Sequence, residues 1–161
     1  MQRPDVFDPM SDAIQRQIDL INWSDYETAY GPAVDMPRQL RRLLSGNSAD
    51  SQLACHELWC ALCHQHVPSS AALPALPVLL HALNISDAAL VAGILDMIYG
   101  FSAYTAATPM DQLPGWQREL RLRLLAEAQR LLALRRHSSR DVAEWAAMIC
   151  DELGLDRPGT G

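Results

Sequence analysis

The sequence contains no lysine; all 13 of its basic residues are arginine. A Schiff-base lysine and a lysine that cradles phosphate are therefore excluded. A Gly-rich phosphate loop is also missing, and Gly159-Thr160-Gly161 reads as a terminal tail. Strand signals are scarce, with no sustained period-two alternation and no Asn-Gly hairpin turn. No window approaches the run of about 18 apolar residues expected of a membrane span. The start, Met1-Gln2-Arg3-Pro4-Asp5, lacks the basic-then-apolar pattern of a signal peptide. These absences lead to the expectation of a cytoplasmic protein. What is present is a chain of 161 residues, 49% of them hydrophobic. That is one domain's worth, able to bury a core without disulfides or metals.

The formal net charge of −6 argues against a general nucleic-acid binder, whose affinity comes from neutralising phosphates. The charge is unevenly spread. Before Met36, the acids Asp5, Asp8, Asp12, Asp19, Asp25, Glu27 and Asp35 outnumber Arg3 and Arg16. Between Asp111 and Arg140 the balance reverses, with Arg118, Arg121, Arg123, Arg130, Arg135, Arg136 and Arg140 against Asp111, Glu119 and Glu127. An acidic N-terminal face attracts a basic partner, unless it is simply a solvated surface.

Helical periodicity recurs along the chain. Residues 10–22 carry Ile14, Ile18 and Ile21 on one face, and Pro37 opens a short helix through Leu40, Leu43 and Leu44. Three places then repeat one design, in which a serine with a nearby aspartate starts an apolar helix: Ser48 with Asp50, Ser86 with Asp87, and Ser138 or Ser139 with Asp141. The capped helices are predicted over residues 52–66, 87–102 and 140–153, with Gly154 as the stop of the last. Their partners precede them at residues 37–45, 70–83 and 114–136. The pattern predicts an all-α fold: a short α-solenoid of antiparallel helix pairs, with an N-terminal helix and about three pairs, in a single domain over residues 1–161. Residues 1–9 and 155–161 are expected to fray. The first two caps lie roughly 40 residues apart, a helical-repeat period.

These features resemble HEAT repeats, with Gln52-Leu53-Ala54 and Leu58 standing where a unit of that kind has Val-Arg-x-x-Ala and a later Leu. The arginine of that pattern is missing, so the unit is degenerate. A closer resemblance runs from Trp23 to Leu83, through Trp23-Ser24, Tyr30-Gly31, Pro37, residues 40–44, Glu57-Leu58-Trp59, His64-Gln65 and residues 74–80. It is similar to small bacterial HEAT-like (armadillo-type) proteins, some of them immunity proteins of toxin–antitoxin systems. The resemblance implies a bacterial protein that binds and blocks a cognate toxin.

The densest chemistry lies in Cys55-His56-Glu57-Leu58-Trp59-Cys60-Ala61-Leu62-Cys63-His64-Gln65-His66. Read as helix, His56 and His64 are about 12 Å apart along the axis, too far for one zinc. Cys60, Cys63 and His64 converge at spacings i, i+3 and i+4, but a fourth ligand would have to come from elsewhere, such as His81 or Cys150. The competing reading, favoured here, makes these cysteines small buried hydrophobes. A Cys60–His64 nucleophile pair lacks an orienting third group and an oxyanion donor. No metal, cofactor or catalytic residue is therefore assigned.

The best interaction segment is residues 23–32, where acids interleave with aromatics as at hot spots. The expected partner-binding residues are Asp25, Tyr26, Glu27, Tyr30, Asp35, His64, Gln65, Asp96, Tyr99 and Tyr104, with Trp23 buried and Tyr26 and Glu27 outward. The expected function is a protein-binding module, an immunity protein that neutralises a toxin with a basic surface. The expected protein contacts neither nucleic acid nor membrane and is a monomer when free. The alternative is a HEAT-like enzyme or metal-binding protein using Cys60, Cys63 and His64.

Overall fold

The computed structural model describes residues 9–155, with side chains from Met10 onward. Among the described residues are eight α-helices: α1 (Pro9–Leu20), α2 (Met36–Leu43), α3 (Ser48–Leu62), α4 (Ala72–Ile85), α5 (Ala88–Ala106), α6 (Gly115–Ala126), α7 (Ala128–Leu134) and α8 (Arg140–Glu152). The protein is thus mostly helical and built by helix-on-helix packing. A minimal hairpin interrupts it, with β1 (Glu27–Thr28) antiparallel to β2 (Gly31–Pro32). That pairing departs from the wholly helical expectation, and Gly31 makes it possible by adopting φ +119° after a two-residue turn.

The helix α5 organises the core. It packs against α3, α4 and α6, and most extensively against α8. The helices α2 and α3 pack together, as do α7 and α8, while α4 touches α1, α2 and α6. The apolar stripes of these helices face inward: Leu90, Ile94 and Ile98 on α5, and Val142, Ala146, Ile149 and Leu153 on the last helix and its cap, are all buried. One expectation is corrected here. With 19 residues and a mean hydropathy of 1.4, α5 is long and apolar enough to cross a membrane, although 56% of that window is buried inside the protein.

The helix starts follow the expected chemistry with shifted assignments. Asn47, not Ser48, caps α3 by accepting the Asp50 N–H at 3.0 Å. Asp87, not Ser86, caps α5 by accepting the Leu90 N–H at 2.9 Å. Ser139 sits at the cap position of α8, but its hydroxyl makes no capping bond. The last helix stops as expected: Gly154 adopts φ +70°, and the N–H groups of Leu155 and Gly154 reach the carbonyls of Cys150 (2.9 Å) and Asp151 (3.1 Å). Leu155 packs against the core, so the frayed segment does not begin there; residues 1–8 and 156–161 lie outside the described residues.

The stretch from 114 to 136 is not one helix. It breaks at Glu127 into α6 and α7, and the apolar row changes phase there. Leu120 and Leu124 are buried, but Leu131 takes the next core place while Ala128 and Leu132 are half-buried.

Two sulfur–glycine contacts bring α3 and α5 together. A Cβ placed on Gly93 would lie 3.0 Å from Cys55 Sγ, and one placed on Gly100 would overlap Cys63 Sγ outright. Gly100→Ala is therefore expected to destabilise the fold by about 1–2 kcal/mol, overpacking outweighing the better helix propensity of alanine. The overlap disappears in Gly100→Ala/Cys63→Ala, where the nearest atom would be Cys63 Cβ at 3.9 Å. Urea unfolding should rank the double variant above Gly100→Ala; if it does not, this contact does not set the helix approach. By the same assay, Asp87→Ala should cost about 1 kcal/mol and Ser86→Ala far less.

Candidate functional site

Hydrogen bonds through its backbone tie the hairpin to α3 and to the residues that lead into α4. Ala29 donates to the Ala61 carbonyl at 2.8 Å, Ala71 donates to the Glu27 carbonyl at 3.0 Å, and the Glu27 N–H is received by Ser70 Oγ at 2.9 Å. Thr28 locks the turn from inside, its hydroxyl donating to the Gly31 carbonyl at 3.0 Å and accepting the Tyr30 N–H at 3.1 Å. Trp23 is buried as expected and donates its indole N–H to the Ile18 carbonyl at 2.9 Å. Tyr26 differs from the expectation, being half-buried against the core. Tyr30 is the outward aromatic of the hairpin, with 71% of its surface exposed, and Glu27 stands exposed beside it in the strand.

A second structure meets this hairpin. The predicted helix over residues 52–66 ends instead at Leu62, because Pro68 forces Val67 into extended backbone and the chain must turn before it. The turn places Gln65 at φ 52° and His66 at φ 64°, left-handed conformations that cost non-glycine residues on the order of 1–3 kcal/mol each. It is held by Ser69, whose N–H donates to the Leu62 carbonyl at 2.9 Å and whose hydroxyl donates to the Ala61 carbonyl at 3.2 Å. The turn presents His64, Gln65 and His66 as exposed side chains. The His64 ring meets Tyr30 edge-on at 6.1 Å, so two segments distant in sequence form one surface.

The charge of this region divides in two. Asp19 pairs with Arg41, joining α1 to α2, and Arg42 joins α2 to α3 by reaching Asp50 at 3.0 Å and Glu57 at 2.6 Å. The hydrogen bonds that Arg42 donates to Asp50, and then to Glu57, raise its pKa. By contrast, the carboxylates of Asp25, Glu27 and Asp35 are exposed, and none of them has an ion pair or hydrogen bond among the described residues. The acidic face is therefore narrower than the composition suggests. Asp5 and Asp8 lie outside the described residues.

The remaining candidates sit elsewhere. Tyr99 is half-buried against Trp145 of α8 at 5.7 Å, and Tyr104 is exposed near the end of α5. Asp96 is half-buried in a cleft between α3 and α5, of about 360 Å³, lined also by Gln52, Cys55, His56, Trp59, Leu90 and Gly93. Sequence reading missed this cleft. Its signals were the spacing of Gln52, Cys55, His56 and Trp59 on one face of α3, and the seven-residue interval between Gly93 and Gly100 on α5. On α8, Glu144 is engaged by Arg140 at 2.7 Å.

Cys60, Cys63 and His64 do not converge. Cys60 Sγ lies 3.8 Å from His56 Nε2, Cys63 Sγ is buried against Gly100, and His64 faces Tyr30. Among the described residues, no three His, Cys, Asp or Glu side chains form a metal-binding group. Burial, aided by the charge of Asp96, pushes the Cys55 and Cys63 thiols from 9.0 up to about 12. No family, curated protein or solved structure matches the chain.

Thiol labelling at pH 8 should therefore find one fast site in the folded protein, abolished by Cys60→Ser, and four sites after unfolding. At that pH, Cys55 and Cys63 are thiolate in only about one molecule in ten thousand. Their raised pKa also sets a sign for stability: it is fully present below about pH 9 and is lost as pH rises towards 12, since the unfolded thiols ionise first. Rapid modification of Cys63 in the folded state would contradict this geometry.

Proposed function

We propose that this chain is a protein-binding module, an immunity-type protein that neutralises a cognate bacterial toxin through a basic surface on the toxin. The observation that carries the reading is the hairpin. Its backbone is fixed to α3 and to Ser70 and Ala71 just before α4, while its exposed side chains, Glu27 and Tyr30, and its flanking Asp25 and Asp35 have no structural ion pairs among the described residues. A rigid platform carrying an exposed aromatic and unpaired acids matches what a basic partner needs: a central aromatic anchor, and charge that steers association.

The finer architecture belongs to the same proposal. The order of packing supports a HEAT-like solenoid, because α2, α4 and α6 touch in sequence and α3, α5 and α8 do likewise, with α2 on α3, α4 on α5 and α7 on α8. Such a stack offers a broad surface for a protein partner. The reading places the chain in the bacterial cytoplasm, monomeric when free, with no nucleic acid or membrane contact. The enzyme or metal reading has less support, since Cys60, Cys63 and His64 take separate neighbours.

Charge reversal tests the proposal. Asp25→Arg/Glu27→Arg should leave unfolding within about 0.5 kcal/mol of the parent, as surface substitutions do. It should also weaken toxin binding at least tenfold, mainly through slower association at low salt. Tyr30→Ala should weaken binding through faster dissociation. Co-expression with the toxin encoded by the neighbouring gene should restore growth; absence of rescue would overturn the immunity reading, and unchanged affinity of the reversed variant would remove the hairpin from the interface.

A further inference from the structure

Among the described residues, five adopt left-handed backbone, and three of them are glycines: Gly31, Gly46 and Gly154. The other two, Gln65 at φ 52° and His66 at φ 64°, are consecutive and lie in the turn between α3 and α4. A side chain in that region meets crowding that glycine escapes. The turn is held by the Ser69 bonds to Leu62 and Ala61, and by the N–H groups of His66 and Val67, which donate to the carbonyls of Cys63 and His64 at 3.1 and 3.0 Å. None of these bonds uses the side chain of residue 65 or 66. They would hold a glycine equally well, so they account for the backbone and not for the residues placed there.

His66 has a use for its side chain inside the fold. Its ring meets Trp59 edge-on at 6.1 Å, and its Nδ1 lies 3.9 Å from where a Cβ on Gly100 would stand. Gln65 has none. Its side chain is exposed and makes no hydrogen bond or ring contact among the described residues. A strained backbone position that carries an idle, exposed side chain points to a contact outside the chain. Its place agrees with that, because the adjacent His64 meets Tyr30 of the hairpin edge-on at 6.1 Å.

We infer that Gln65 contacts the partner, its carboxamide pairing with a main-chain peptide group of a toxin that lies across the hairpin and this turn. The inference rests on the protein-binding reading and adds an uncharged contact to the charged one. A carboxamide sets a donor beside an acceptor on one planar, neutral group, which is the complement of a peptide unit. It gives no preference to a basic side chain; Asp25 and Glu27 supply that. Fixed beforehand by its left-handed backbone, residue 65 loses little further freedom on association.

Urea unfolding and affinity for the toxin encoded by the neighbouring gene test this together. Gln65→Gly should raise the urea midpoint, relief of strain outweighing the added freedom of glycine in the unfolded chain. Gln65→Ala keeps a side chain on the left-handed backbone and removes only the carboxamide, so its midpoint should stay near the parent's. Both variants should lose at least about fivefold of the affinity for the toxin, the size of effect expected from hydrogen bonds between neutral groups. Gln65→Glu adds a negative charge towards a basic partner but loses the donor, and should also bind more weakly. Tighter binding by Gln65→Glu, unchanged affinity of Gln65→Ala, or a Gln65→Gly no more stable than the parent would each overturn the inference. A parent protein that binds no toxin fails the protein-binding reading itself, whereas a toxin-binding parent indifferent to Gln65→Ala fails this inference alone.

Discussion

The sulfur of Cys63 seated on Gly100, with that of Cys55 on Gly93, fixes how closely α3 and α5 approach, and much of the remaining structure follows from that approach. Glycine weakens a helix by roughly 1 kcal/mol relative to alanine, so two of them on a long core helix are an expense that needs a local reason. The reason here is space for a second-row atom. With the sulfurs accommodated, α5 can be covered on several sides at once and can bury Ile94, Leu95, Met97, Ile98 and Phe101 completely. Away from the contact itself, the missing side chain of Gly93 leaves room, and that room is part of the α3–α5 cleft.

The same contact governs the end of α3. Cys63 points its sulfur into α5, and the chain must then leave the helix at once to avoid continuing into Pro68. Both demands are met by the left-handed turn at Gln65 and His66, whose strain is offset by the Ser69 bonds to Leu62 and Ala61. The turn in turn supplies the wall against which Tyr30 rests. A packing decision in the core thus reaches the surface through a chain of contacts only a few residues long.

This sequence of dependence explains what could and could not be read from residues alone. Apolar stripes such as Leu90, Ile94 and Ile98 were legible because they need only one helix's period. Cap assignments slipped by one residue because Asn47 and Asp87 compete with the adjacent Ser48 and Ser86 for the same role. The break at Glu127 was invisible: no glycine or proline marks it, and Leu131 next to Leu132 satisfies either helical phase. At the candidate site, the acids of residues 25–35 were legible, but the engagement of Asp19, Asp50 and Glu57 by Arg41 and Arg42 depends on how α1, α2 and α3 are arranged. The cleft required the register of α3 on α5, which no single-helix pattern encodes.

The separation of charge then acquires a physical meaning. Arginines 41 and 42 pair with acids that link neighbouring helices, while the acids of the hairpin are exposed to water and have no ion pair among the described residues. A flexible acidic loop would achieve the same solvation, yet this hairpin is held by three inter-segment bonds that involve its backbone. Ordering a loop on association costs free energy for each side chain and backbone unit fixed, so a platform ordered in advance retains more of its contact energy as affinity. Rigid placement of exposed acids beside an exposed aromatic is the feature that most separates this surface from an ordinary solvated one.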